Sequence, residues 1–475
     1  MEVIPIPLVD QHRPVPNIRT RTFFVVDDVL DEVVLRNALD RLIRDHWRKL
    51  GARIVPRKDN KGRFFEYHLP KVFPDGYELF KWSSKEYGQS FDKFKAKMTP
   101  TADMQQKGVG FLSSIHDIDS WFRPADVPYH ASDDPPNAPM LYVHMSLFTD
   151  ATVILLSMPH MLGDQMGKAS LVRAWLGLVE GREPPAMYGY NEDVVPGQTP
   201  LDQIPKEELY RKGKLHVRKP LEYLFCVMGF IPELVFHSKE TAYVLFFPRQ
   251  LVQALRERAV KQLEDAHGGS VFLTDGDILC AILTKLQRMH DKKTRMISIG
   301  QTMNLRGRAP KLRGPEIEGF IHNALYLASA RFRINADTPL AEIAYHTRQA
   351  IAEATTDPKF LETAMAVTRE VIRRGQNSHI CEPFERSYFV ANWSKIWRGI
   401  DMTPAVKGGV KDGREGQKVN LRVYGRGGEM NTPGRYACTV MQVTDEGYFV
   451  DFAVSNKTMK LIKEHVARDP MLQNL

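Results

Sequence analysis

The stretch Ile154-Leu155-Leu156-Ser157-Met158-Pro159-His160-Met161-Leu162-Gly163-Asp164 decides how the rest of the chain is read. Thr152 to Met158 is a short apolar run of the kind that forms a strand, Pro159 to Asp164 breaks it, and helical spacing resumes from about Gly167 to Val179. A second apolar run, Met140 to Leu147, precedes it across Thr149-Asp150, so the two runs are expected to form a hairpin. The arrangement sets one histidine at the mouth of a strand. An imidazole with an ordinary pKa of about 6.5 is neutral at cellular pH and able to take a proton from a hydroxyl or an amine. The spacing His-x-x-x-Asp also has a plainer reading, with His160 bonded to a backbone carbonyl and Asp164 capping the next helix. The spacing alone leaves both open.

Outward from this segment the chain alternates strands and helices without a repeat at a fixed period. Asp31 to Leu50 carries Val34, Leu35, Leu39, Leu42 and Ile43 at helical spacing. Ala52 to Pro56 and Phe64 to Leu69 flank the turn-rich Lys58-Asp59-Asn60-Lys61-Gly62, which predicts a hairpin. Six prolines between Gly181 and Pro220 mark a crossover segment. Beyond it, Tyr243 to Phe247 reads as a strand, and Thr274 with Asp277 reads as a capping box opening the helix Ile278 to Met289. Strands are expected at Met296 to Met303, Asn323 to Phe332, Tyr388 to Ala391, Val419 to Val423, Tyr436 to Val443 and Gly447 to Phe452. Helices are expected at Arg249 to Leu263, Pro339 to Ala354, Pro358 to Arg374 and Asn456 to Ala467.

Composition narrows the class. At roughly 100–200 residues per domain, 475 residues predict two or three domains or one bilobed enzyme. With 43% hydrophobic and 26% charged residues the chain is globular, not disordered, collagenous or coiled-coil. A formal charge of +8 is modest for this length, and basic runs such as Arg57-Lys58 to Lys61-Arg63 and Arg211 to Lys219 lack interleaved aromatics, so nucleic acid is not expected as a partner. Four dispersed cysteines with no CxxC pair predict no metal site and fit a reduced, cytoplasmic protein. Met1 to Pro7 has no secretory-signal pattern. The longest apolar stretch, Leu221 to Phe236, is 16 residues interrupted by Glu222, Pro232 and Glu233. That is too short and too polar for a membrane span, and it is expected to form a buried or groove-lining helix.

Most catalytic motifs are missing: there is no GxSxG, HExxH, Walker-type or EF-hand pattern, and Gly425-Arg426-Gly427-Gly428 lacks the third glycine of a dinucleotide fingerprint. What remains is the segment of the first paragraph in its surroundings. Leu141-Tyr142-Val143-His144 to Phe148, the strand into His160-Met161-Leu162-Gly163-Asp164, and the helix Leu171-Val172-Arg173-Ala174-Trp175 ending at Gly181 resemble the BAHD-type acyltransferases. Leu50-Gly51-Ala52-Arg53, Thr274 to Arg288, Met303-Asn304-Leu305-Arg306-Gly307-Arg308 and His322-Asn323-Ala324 extend the resemblance over nearly the whole chain, in a form closer to the divergent fungal branch. The chain departs from the pattern in two places. Gln165 stands where the family has glycine, and Val390-Ala391-Asn392-Trp393-Ser394-Lys395 keeps only the Trp and the Lys of the family's DFGWG-Lys segment.

The resemblance implies an α+β fold of mixed sheets and helices, in two chloramphenicol-acetyltransferase-like lobes with a central solvent tunnel. It divides the chain into an N-terminal lobe (1–190), a crossover linker (191–235) and a C-terminal lobe (236–475). It implies transfer of an acyl group from acyl-CoA, a co-substrate rather than a bound cofactor, to a hydroxyl or amine of a small hydrophobic metabolite, by a monomer. His160 would be the general base and Asp164 would pair with Arg306 to fix the loop. Trp393 and Ser394 would lie near the thioester oxygen, and Lys395, Arg308 and Lys311 near the CoA phosphates. The altered second motif leaves an alternative open, in which the same fold cyclises or condenses a bound intermediate without acyl-CoA.

Overall fold

The computed structural model describes residues 1–58, 64–291, 293–409, 417–428 and 432–475. The turn expected at Lys58-Asp59-Asn60-Lys61-Gly62 lies, from Asp59 on, outside the described residues, as do Lys61 and Arg63 of the first basic run. The fold is α+β, built on three sheets. A five-stranded sheet runs in the order Leu421–Arg426, Arg19–Val26, Thr152–Pro159, Tyr142–Leu147, Lys81–Glu86. A seven-stranded sheet runs in the order Leu325–Ile334, Arg295–Asn304, Arg386–Asn392, Ala437–Val443, Gly447–Ser455, Glu240–Pro248, Gly110–Leu112. The strands Glu2–Pro5, Phe65–Leu69 and Arg53–Pro56 form a small third sheet.

The strand that leads to His160 is central and buried along its whole length, and so is its antiparallel neighbour Arg19–Val26. Because side chains alternate across a strand, Ile154, Leu156 and Met158 join one core with Phe24 and Val26, while Val153 and Leu155 join a second with Phe23 and Val25. The helix Gln165–Val179 covers the first face. Its Trp175 indole donates to the Leu35 carbonyl at 2.7 Å, locking it to the helix Glu32–Arg41. Lys168 drives a fully buried ammonium into the sheet, donating to the Thr20 and Leu156 carbonyls and the Thr22 hydroxyl at 3.0, 3.2 and 3.1 Å. Burial holds its pKa well below the ordinary lysine value. The second sheet is covered by the helices Arg249–His267, Asp275–Arg288, Leu340–Thr356 and Asn456–Arg468, and the Thr274/Asp277 capping box is present.

Two expectations are corrected, and strand pairing runs across the expected division of the chain. The helix expected over Asp31 to Leu50 is α-helical only for Glu32–Arg41, after which Leu42–His46 widens and Arg48–Gly51 tightens. This change of winding turns Lys49 into the interior, where it is fully buried. The division at 1–190, 191–235 and 236–475 is crossed twice by sheet pairing: Leu421–Arg426 adds to the first sheet beside Arg19–Val26, and Gly110–Leu112 adds to the second beside Glu240–Pro248. Each supplies partners for an edge that would otherwise expose its backbone. Leu221 to Phe236 is not a buried helix but two short ones, Pro220–Met228 and Ile231–Phe236, with much of their apolar surface in solvent.

The loop from strand to helix passes under the main chain of Ile321 with no space to spare. A Cβ on Gly163 or on Gly167 would lie 1.9 or 1.8 Å from the Ile321 carbonyl oxygen. Gly167, two positions after the family's usual glycine, therefore does the work of a close helix–backbone approach. Gly163→Ala and Gly167→Ala should each destabilise the protein by about 1–3 kcal/mol or more, read as a fall in the thermal midpoint, whereas Gly181→Ala, whose added Cβ meets nothing within 4 Å, should cost only its left-handed backbone.

Candidate active site

His160 is the first residue past the buried strand, and both of its main-chain groups are held. Its N–H donates to the Ile18 carbonyl at 2.8 Å, and its carbonyl accepts from Asn323 Nδ2 at 2.9 Å. The ring is partly accessible, but Nδ1 is buried and has no hydrogen-bond partner. Burial lowers the pKa of His160 below 6.5, and the neighbouring His12 lowers it further, while the carboxylates of Asp164 and Asp10 oppose the shift. The imidazole is therefore neutral near pH 7, with a free lone pair.

Asp164 does not reach back to His160. Its carboxylate is gripped bidentately by Arg306, Nη1 to Oδ2 at 2.8 Å and Nη2 to Oδ1 at 3.0 Å, with both side chains buried. Oδ1 also accepts from the Gly167 N–H at 2.8 Å and Oδ2 from the Ala324 N–H at 3.0 Å. The carboxylate is at once the N-cap of the helix Gln165–Val179 and the partner of an arginine from the other lobe, so the two readings of the motif Asp hold together. Arg306 also donates to the His322 carbonyl at 2.7 Å and stacks over Phe320 at 5.1 Å.

Behind His160 lies a buried polar chain that the sequence did not disclose. Asp10 Oδ1 accepts from the main-chain N–H and Nδ2 of Asn323 at 2.9 and 2.7 Å, and Oδ2 faces His322 Nδ1 at 2.8 Å. His322 Nε2 faces Lys49 Nζ at 3.0 Å, and the ammonium also lies 4.9 Å from the centre of the Tyr190 ring. An ammonium can only donate, so His322 Nε2 accepts and Nδ1–H donates to Asp10. Burial depresses the pKa of both, His322 below its ordinary value and Lys49 to about 8. Asn323 thus links Asp10 to His160, and Tyr67 holds the next carbonyl, that of Met161, at 3.2 Å. Pairings 273 and 312 residues apart leave no local signal. Only His322-Asn323 had been singled out, and only by resemblance.

The remaining candidates make contacts of their own. The main-chain N–H of Trp393 donates to the Val440 carbonyl at 2.7 Å, and its half-buried ring packs against the core that contains Phe23 and Val25. Ser394 is buried, its N–H bonded to Asn392 Oδ1 at 3.0 Å, and Lys395 is exposed. No hydrogen bond or ion pair joins these three to His160 among the described residues. Arg308 and Lys311 are exposed on the loop after Arg295–Asn304, where Arg308 donates to the Asn304 carbonyl at 2.7 Å. His216, Glu222 and Glu382 bring ligand-type atoms within 4.8 Å of one another, but Arg218 lies among them, 3.0 Å from Glu222, and supplies the cation such a group needs.

No family model matches the chain. It is 31% identical over 275 residues to the O-acyltransferase pboC of Aspergillus ustus, 54% of this chain and 53% of that protein, so that match spans about half of each. It is 26% identical over 400 residues to the acetyltransferase adrJ of Penicillium rubens, covering 80% of this chain and 77% of that one. It is also 26% identical over 388 residues to a Penicillium decumbens protein named transcriptional regulator calD, covering 78% and 75%. Among solved structures, F. graminearum TRI101 complexed with coenzyme A and T-2 mycotoxin superposes over 98% of this chain and 97% of its own, with a TM-score of 0.70 and 13% identity.

Two predictions test the buried groups. Removing the carboxylate in Asp164→Ala leaves Arg306 buried without its partner and should cost about 3–5 kcal/mol, measured by denaturant unfolding. Lys49 binds its proton less tightly folded than unfolded, so stability should rise between pH 8, its folded value, and the ordinary lysine value of 10.5. Relative to Lys49→Met, the gain should be on the order of 3 kcal/mol across that window. Along nearly its whole length the chain thus shares the fold of TRI101, and in sequence it is similar to fungal proteins named as acyltransferases and acetyltransferases.

Proposed function

We propose that the protein transfers an acyl group, acetyl first among the candidates, from acyl-CoA to a hydroxyl or amine of a small hydrophobic metabolite, with His160 as general base. The observation that carries this is the division of labour at the motif. Asp164 is fully engaged by Arg306, Gly167 and Ala324, so it shapes the loop, while His160 is fixed by its main chain and keeps a neutral ring with no protein partner. With Nδ1 turned inward, Nε2 is the nitrogen left for a substrate. It takes the acceptor's proton as the acceptor oxygen or nitrogen attacks the thioester carbon. The C–S bond then breaks, and the imidazolium returns the proton to the departing thiolate of CoA. The acyl group passes directly to the acceptor, with no acyl-enzyme.

A base so placed supplies roughly 10²–10⁴-fold, the remainder coming from positioning and stabilisation of the oxyanion. Trp393 and Ser394 are assigned to the oxyanion side, and the exposed cations Lys395, Arg308 and Lys311 to the phosphates of CoA, reached through a tunnel between the lobes. The relatives support the acyl chemistry: one is named an O-acyltransferase and another an acetyltransferase, and the TRI101 structure holds coenzyme A together with T-2 mycotoxin. The protein acts as a cytoplasmic monomer in this reading.

His160→Ala should lower kcat by about 10²–10⁴-fold while leaving the unfolding transition in place, and the acid limb of the kcat/KM profile should fall below pH 6.5. The product should be heavier than the acceptor by one acyl group less a hydrogen. A product of unchanged mass, or one water lighter, would replace transfer by cyclisation or condensation.

A further inference from the structure

The two short helices after the crossover are built inside out. A surface helix ordinarily buries its apolar face and shows water its charges. Here the charged residues turn inward: Glu233 is buried against Arg386, and Glu222 is taken up by Arg218 and His216. The apolar side chains face out, with Leu221 68%, Leu224 51%, Ile231 45%, Val235 66% and Phe236 79% exposed. Phe384 joins them from the neighbouring loop, 61% exposed and stacked on Phe225 at 5.1 Å. Its φ of +62° is a strained conformation for a bulky residue, and it is fixed there by an N–H bonded to the Phe225 carbonyl at 3.0 Å. A contiguous exposed apolar face of this kind marks an interaction surface.

The charges around the face say what covers it. The nearby carboxylates of Glu222, Glu233 and Glu385 are all consumed by arginines, Glu385 by Arg331. Lys219 and Lys239, at the two ends of the helix pair, and Lys212 are exposed, and among the described residues no ion pair takes up their ammonium groups. The rim is thus purely cationic. A second copy docked face to face would set lysines against lysines, because a two-fold contact is self-complementary. An anionic lipid surface satisfies both the apolar centre and the cationic rim. The helices, Pro220–Met228 and Ile231–Phe236, are far too short to cross a bilayer, and no helix of the described residues is long and apolar enough to do so.

We infer that this face seats the protein on the surface of an anionic membrane, with the helix pair lying in the interface. A run of contacts leads from the seat toward the segment beside His160. Asn377 donates to the Tyr223 hydroxyl and pairs as a β-bridge with Arg13, the residue after His12, whose charge acts on His160. An apolar acceptor dissolved in the lipid would then reach His160 along that side. This last step rests on the transfer reading above, but the docking does not.

Co-sedimentation of the full chain with phosphatidylcholine vesicles containing roughly 30 mol% phosphatidylserine tests the docking. The protein should pellet with these vesicles, far less with phosphatidylcholine alone, and less as salt is raised. The exposed triple variant Leu221→Ser/Val235→Ser/Phe236→Ser should lose binding yet keep its turnover of a water-soluble acceptor and its thermal midpoint. Lys219→Glu and Lys239→Glu should each weaken binding roughly fivefold or more. Failure to pellet with anionic vesicles overturns the proposal. So does a dimer in sedimentation velocity that the triple serine variant abolishes, since the face would then be a contact between copies. Loss of acyl transfer in every assay, with vesicle binding intact, would instead count against the reaction and leave the docking standing.

Discussion

One carboxylate organises the centre of this molecule. Asp164 begins a helix, closes the loop that carries His160, and receives the guanidinium of Arg306 from the far part of the chain. A buried pair of this geometry contributes little net stability once desolvation is counted, but it is costly to break from one side. Its value here is positional. Arg306 also holds the His322 carbonyl, and His322 and Asn323 hold Asp10, so a single ion pair sets the register between the N-terminal turn, the motif loop and the segment before Leu325–Ile334. Asn323, which holds the His160 carbonyl, follows His322 directly in the chain and so is tied to that pair, while the His160 N–H is held separately by the Ile18 carbonyl.

The polar chain from Lys49 to Asn323 works by the same logic. An ammonium, a neutral imidazole and a carboxylate in line satisfy one another with a single consistent assignment of protons, so burying them leaves little unpaired. What it leaves is Asn323 Oδ1 and His160 Nδ1, two buried polar atoms without partners in the same small region. Orphans of this sort are expensive in an ordinary core and are found where a protein is arranged for chemistry.

Much of the fold was legible because its elements declare themselves locally. The strand into His160, the Thr274/Asp277 cap and the hairpins follow from short-range patterns of apolar and turn residues, and they lie within a few residues of where the sequence placed them. Which sheet a strand joins is a long-range choice. Leu421–Arg426 reads as a strand from composition, yet nothing in it says that it pairs with Arg19–Val26 rather than with its neighbours in sequence. The helices after the crossover misled for a related reason: hydropathy reports that a segment is apolar, not which way its apolar side faces. At the site, His160, Asp164 and Arg306 came from a motif and a family resemblance, whereas Asp10, Lys49 and His322 are paired across hundreds of residues and carry no pattern a single sequence could show.

The exchange of strands between the lobes has a consequence for how the protein comes to exist. The first sheet is flanked by a strand that the ribosome makes more than 390 residues after its partner, as the pairing of Arg21 with Arg426 shows. A nascent chain that has emerged only as far as Val390 holds the whole strand that leads to His160 but lacks the edge that shields it. Until the last tenth of synthesis, Arg19–Val26 presents an unpaired backbone of buried character, open to the wrong partner. Folding of this protein is therefore a late, whole-chain event that proceeds slowly through distant contacts, and the sheet that leads to His160 cannot be completed as a free-standing piece.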